Sequence, residues 1–267
     1  MTEMELDRVA VLAVGVSNYT FMDPVYGAGA DVDLLRKLLV DDPITSVLKA
    51  PQFSELKDAT SAMVRQALTT WAYERGALHD VLIFYFSGHA LPLGNDDLAL
   101  CTHDTRIHPL TGLPIPTSLI SFRELVSTTA HMRADPVIII DACYSGEAGA
   151  MMPIALEQIR RTVQADAGSA YALLTSSTSL EISYDTGQYG IFSQSLFEVC
   201  VEGISDVNSP FLTLHDLHPA LRSEIEQTGY DMTPQLFVGE TLPSFPFVRN
   251  SGMYPAKSRL LHIWSSA

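Results

Sequence analysis

Basic residues are scarce in this chain. Sixteen Lys and Arg stand against 31 Asp and Glu, a formal net charge of −15. Nucleic-acid binding needs clustered cations to neutralise phosphates, so this composition argues against nucleic acid as the main partner. It suits a partner carrying basic segments. Cysteine is scarce too, with only Cys101, Cys143 and Cys200. An odd, sparse set is not a disulfide framework, and there is no Cys-x-x-Cys pair to suggest zinc. In a reducing compartment such thiols stay free. No apolar run approaches the ~18 residues that would read as a membrane span. The acidic start MTEMELDRVA lacks the apolar core of a secretory signal, so the expected location is cytoplasmic, with no membrane partner. Internal repeats and low-complexity tracts are missing as well.

What is present is an ordinary globular composition over 267 residues, 47% hydrophobic and 18% charged. That length suits one large α/β domain or two small ones. Apolar, β-branched runs alternate with amphipathic stretches. Strands are expected at 8–19, 80–90, 137–146 and 171–185, with a short one within 96–105. Helices are expected at 27–40, 54–76, 117–132 (N-cap Thr117 or Ser118), 190–203 and 212–229. The stretch 147–169 reads as part helix and part loop, and the Pro-, Ser- and aromatic-rich end from Pro243 has no assignment. Near-continuous apolar strands alternating with helices predict a mostly parallel central sheet covered on both faces, a three-layer α/β/α sandwich.

In such sheets ligands bind at the carboxyl ends of the strands. Two strands there run into Ser-Gly-containing stretches, Ser87-Gly88-His89 and Asp141-Ala142-Cys143, the latter leading to Ser145-Gly146. If the two strands are neighbours, a histidine and a cysteine share one sheet edge. An imidazole beside a thiol draws off its proton and makes a nucleophilic thiolate. Gly88 and Gly146 read as turn residues whose neighbouring N–H groups can face an oxyanion. The competing reading of Cys143 is a small apolar residue near a strand end.

FYFSGHA (84–90) and IIIDACYSG (138–146) resemble the two signature blocks of the caspase-like cysteine peptidases, the clan of caspases, metacaspases and their bacterial relatives. From His89 to Cys143 is 54 residues, against about 50 in caspases. The caspase motif Gln-Ala-Cys-x-Gly is absent, and DACYSG resembles the metacaspase and bacterial form. The similarity runs from about Val9 to about Gly239. It implies a Cys143–His89 dyad, with the backbone N–H groups of Ala90 and Cys143 forming the oxyanion hole. It also implies an S1 pocket of Asp31, Ser87 and Asp141 that selects Arg or Lys at P1, as carboxylates ligate a guanidinium. Asp31 also fits a helix-start acid favoured by the macrodipole, and Asp141 a strand-end residue bonding turn amides. The family usually has Gly where this chain has Ala90, which would matter if the position required φ > 0.

The same resemblance implies a single peptidase domain over 1–242. Its parts are a large-subunit-like 1–146, a linker 147–169 and a small-subunit-like 170–242, followed by a tail, 243–267. Arg160-Arg161 in the linker is a candidate self-cleavage site, or else a solvated helix face. No cofactor is implied. Calcium serves some metacaspases, but Asp96 and Asp97 are too few oxygen ligands for a dedicated site. Expected partners are a protein or peptide with a basic P1 residue and an activating protein, in bacterial stress or defence signalling. The alternative is an inactive caspase-like scaffold. His103 and Asp104 read as structural, and His215 and His218 as solvated surface. Cys101, Cys200, Trp71 and Trp264 read as packing residues.

Overall fold

The structure is a computed structural model that describes residues 6–75, 81–93, 97–130, 135–144, 161, 171–176, 188–239 and 246–253. Strand β1 (Val9–Gly15) is buried at every position, as its unbroken apolar sequence requires of a central strand. It pairs in parallel with β2 (Phe53–Lys57) on one side and with β3 (Val81–Leu93) on the other. Beyond β3 lie β6 (Asp135–Tyr144) and β7 (Ala172–Thr175), also parallel, and the antiparallel edge strand β9 (Gln235–Val238). The far end of β3 pairs antiparallel with β4 (Asp97–Cys101), which pairs with β5 (Leu119–Ser121). A separate short ribbon joins β8 (Phe211–Leu212) to β10 (Val248–Arg249).

The two-residue period of the strands sorts their side chains into two cores. Val9, Val11, Ala13, Ile83, Tyr85, Val137 and Ile139 pack toward α1 (Ala28–Arg36), α4 (Ile191–Glu202) and α5 (Leu214–Thr228). Ala10, Leu12, Val14, Leu82, Phe84, Phe86, Ile138 and Ile140 pack toward α2 (Ser61–Arg75) and α3 (Phe122–Ala130). The expected three-layer α/β/α sandwich with a mostly parallel sheet is therefore present. No described helix is long and apolar enough to cross a membrane.

Several local expectations are corrected. The segment 54–57 is the end of strand β2 rather than the start of a helix, and α2 begins at Ser61. Asp104 caps α2, its carboxylate accepting from the N–H and hydroxyl of Ser61. The 117–132 helix begins only at Phe122, after β5. Its cap is Ser121, whose Oγ accepts the Glu124 N–H, not Thr117 or Ser118. Ser87-Gly88 is not a turn, because β3 runs on to Leu93; β6 continues through Asp141 to Tyr144, and the expected turn at Ser145-Gly146 lies outside the described residues. Residues 246–253 also pack into the fold. Phe247 and Val248 are fully buried, and the Asn250 amide bonds to Ile204, Val207 and Ser209. The 147–169 stretch lies outside the described residues except for Arg161.

Candidate active site

The strand register builds the site. Gly15 at the end of β1 is level with Ser87 of β3, which is level with Asp141 of β6. Because β1 stops there, β3 and β6 continue past it as a pair, with His89 opposite Cys143 and Ala90 opposite Tyr144. Neighbouring strands lie about 4.8 Å apart, so rigid backbone brings positions 89 and 143 together. Ser87 and His89 continue the alternate series of Ile83 and Tyr85. Positions 141 and 143 continue that of Val137 and Ile139, on the same sheet face.

The loop between β1 and α1 holds His89 from the side. The His89 N–H donates to the Tyr19 hydroxyl at 2.8 Å, and the two rings pack at 4.9 Å, tilted by 39°. Gly88 makes this approach possible, because its φ is +152° and a Cβ there would lie 2.6 Å from the Tyr19 oxygen. The imidazole Nε2 lies 3.0 Å from the Asp23 carbonyl oxygen. A carbonyl can only accept, so the proton sits on Nε2 and the neutral ring offers Nδ1 as a bare lone pair. Nδ1 is buried and has no hydrogen-bond partner among the described residues. Burial lowers the His89 pKa below the ordinary histidine value, opposed by the hydrogen bond and charge of Asp23. The ring is thus held as a neutral base.

That loop is itself pinned. The Ser17 and Asn18 N–H groups each donate to Asp58 Oδ1 at 2.8 Å, and the Asn18 amide donates to Oδ2 at 2.7 Å. Burial pushes the Asp58 carboxyl up, but the bonds from Asn18 and Ser17 and the charge of His103 outweigh it and hold the group low. His103 bonds the Asn18 carbonyl through Nδ1 at 2.6 Å.

Beside the histidine, two acids converge. Asp31 on α1 is 2% exposed and Asp141 on β6 is 3% exposed. The Ser87 hydroxyl donates to Asp31 Oδ2 at 2.8 Å, and the Gly190 N–H to Asp31 Oδ1 at 2.9 Å. Ser193 Oγ donates to Asp141 Oδ2 at 2.6 Å, and the Tyr85 hydroxyl lies 2.6 Å from the same Oγ. Ser193 has one proton and spends it on the carboxylate, so Tyr85 must donate to Ser193. Burial and the nearby charges of Asp31 and Asp141 raise the Tyr85 pKa well above its usual value. This keeps the phenol protonated.

The structure thus brings Asp31, Ser87, Asp141, His89 and the backbone of Cys143 to one end of β3 and β6. Ala90 is fully buried in extended strand, opposite Leu100 and Tyr144. The one non-glycine residue with positive φ among those described is Asp58, so alanine is unstrained at position 90. Arg161 is exposed, whereas Arg160 lies outside the described residues. Asp97 Oδ1 accepts the N–H groups of Leu98 and Arg123, and Asp96 lies outside the described residues. His218 Nε2 meets the Pro234 carbonyl at 3.0 Å. Cys101 and Cys200 are fully buried; burial pushes the Cys101 thiol up to about 12 and raises that of Cys200 as well. Sequence reasoning missed Tyr19, Asp23, Tyr85, Gly190 and Ser193. Each meets its partner across the fold, and only Gly190, standing just before a helix, gave a local signal.

A six-strand path ordered β2-β1-β3-β6-β7-β9, with a histidine and a cysteine in register on its central pair, defines a protein of the caspase fold. The family model described as the caspase domain matches residues 8–244, and the chain belongs to that family. Among solved structures, protein GSU0716 from Geobacter sulfurreducens is similar at TM-score 0.61 and 17% identity, over 91% of this chain and 97% of that one. Caspase-1 from Spodoptera frugiperda is similar at TM-score 0.58 and 13% identity, over 88% and 90%. At these identities the likeness is one of fold. No curated protein sequence matches the chain.

Proposed function

We propose that the protein is a cysteine endopeptidase that cleaves after Arg or Lys. The observation that carries the reading is the state of His89. Its Nε2 is committed to the Asp23 carbonyl while a buried Nδ1 is left to accept a proton, on a strand whose register partner is Cys143. The convergence of Asp31 and Asp141 beside Ser87 supports a basic P1 residue.

In this scheme the Cys143 thiol gives its proton to His89 Nδ1, and the sulfur attacks the scissile carbonyl carbon. A C–S bond forms, and the carbonyl electrons move onto oxygen, a charge that the family resemblance assigns to the N–H groups of Ala90 and Cys143. Collapse breaks the C–N bond. His89 returns the proton to the departing amine, leaving a thioester. Water, giving its proton to His89, then attacks the thioester; the new acid leaves and Cys143 regains its proton. No cofactor enters. Arg160-Arg161 is read as a self-processing site in the linker, and an Arg160/Arg161→Ala double variant that yields the same fragments would overturn that. An effector role in bacterial stress or defence signalling, triggered by a partner protein, rests on the family resemblance alone.

The test is covalent trapping with peptidyl chloromethyl ketones ending in Arg or Asp, located by peptide mass spectrometry. The expected adduct is the Arg reagent on Cys143, absent from Cys143→Ala. An Asp-selective adduct would keep the dyad and discard the basic pocket. No adduct on Cys143 from either reagent would favour the scaffold alternative.

A further inference from the structure

The acidic pair has a third wall, the first turn of α4. Gly190, the N-cap of that helix, gives its N–H to Asp31, and Ser193 gives its hydroxyl to Asp141. An ideal Cβ at residue 190 would lie 2.9 Å from Asp141 Oδ2 and 3.1 Å from Asp31 Oδ2. Any side chain there would occupy the point on which the two carboxylates converge. The φ of Gly190 is −67°, which every residue adopts. What holds position 190 to glycine is therefore space between two acids and not backbone conformation.

Ser193 acts through a different contact. It fixes Asp141 Oδ2 from the side, with Tyr85 behind it completing a buried chain of two 2.6 Å hydrogen bonds. The positive end of α4 favours negative charge at this point. Bonds to an ionised acceptor are among the stronger neutral-donor contacts. The carboxylate is aimed before any cation arrives, which lowers the ordering cost of binding.

We propose that Gly190 is a specificity-determining residue and Ser193 a positioning residue of the S1 pocket. The absent Cβ of Gly190 leaves room for the P1 cation between Asp31 and Asp141, and Ser193 holds Asp141 toward it. This rests on the basic-P1 reading above. A side chain at position 190 would exclude the cation from the space between the two carboxylates.

The experiment uses the Cys143→Ala protein, so that binding is read without turnover. Acetylated tetrapeptides ending in Arg, Lys or norleucine are titrated into it by calorimetry. In the same background, Gly190→Ala and Ser193→Ala are each expected to lose at least about tenfold in affinity for the Arg peptide, the scale of one hydrogen bond to a charged group. The norleucine peptide should stay within about twofold, and Ser193→Thr, which keeps the hydroxyl, should recover most of the Ser193→Ala loss. If the parent protein does not prefer Arg or Lys over norleucine, the basic pocket is wrong and the inference falls with it. If the preference is present but both Ala variants keep it, only the inference is overturned. Equal losses on all three peptides, or no recovery in Ser193→Thr, would mark general damage and overturn it too.

Discussion

Replacing Asp31 by asparagine isolates charge from shape. In the structure Asp31 Oδ1 accepts the Gly190 N–H and Oδ2 accepts the Ser87 hydroxyl. Asparagine keeps an oxygen for Gly190. Its amide nitrogen can donate to Ser87, whose hydroxyl turns from donor to acceptor. Both of these bonds therefore survive, and the melting temperature should move by less than about 4 °C, the shift that ~1 kcal/mol produces in a chain of this size. The P1 cation, in contrast, loses one of its two counter-charges. A hydrogen bond to a charged group contributes about 1.5–3 kcal/mol, so kcat/KM for an Arg-P1 peptide should fall roughly 10- to 150-fold. A peptide with a neutral P1 residue should be cleaved as before. Equal loss on both peptides, or unchanged cleavage after Arg, would refute the assignment of Asp31 to substrate binding.

Other expectations follow from the same contacts. In the Cys143→Ala variant, NMR titration should place the His89 pKa below the ordinary histidine value, because burial disfavours the imidazolium. The unfolded chain then binds the proton more readily than the folded one. His89 should therefore cost stability as pH falls below that ordinary value toward the folded pKa, and not above it; a raised pKa would contradict the neutral-base geometry. Gly88→Ala forces a Cβ toward the Tyr19 hydroxyl at a φ of +152°. It should destabilise by about 1–3 kcal/mol in chemical denaturation, and a neutral result would mean that Tyr19 yields freely. With iodoacetamide at neutral pH, Cys143 should alkylate well before Cys101 and Cys200, whose burial raises their thiol pKa values. Tryptic mapping over time reads the order, and simultaneous labelling would argue against an activated thiol.

The central sheet was legible because β1, β3 and β6 are apolar on both faces, which leaves an unbroken β-branched run in the sequence. The β2 strand was not legible. It is an edge strand whose residues 54, 55 and 57 are exposed, so its polar sequence merges with the amphipathic helix that follows. Ser87-Gly88 read as a turn because serine and glycine usually make one. Here Gly88 serves a different need, the close approach of Tyr19. His89, Ser87, Asp31 and Asp141 could be named from two short blocks and a helix start. Tyr19, Asp23 and Ser193 could not, since their contacts to His89, Asp141 and Tyr85 span from 52 to 108 positions. The 246–253 segment gave no periodic signal because it packs through single residues, with Phe247 and Val248 in the core and Asn250 capping a loop.

The most direct test is hydrolysis of fluorogenic peptides that differ only at P1, carrying Arg, Lys, Asp or Ala, with and without calcium, beside a Cys143→Ala control. The account predicts turnover after Arg and Lys that disappears in the control. Turnover after Asp, or turnover that survives loss of the Cys143 thiol, would contradict it.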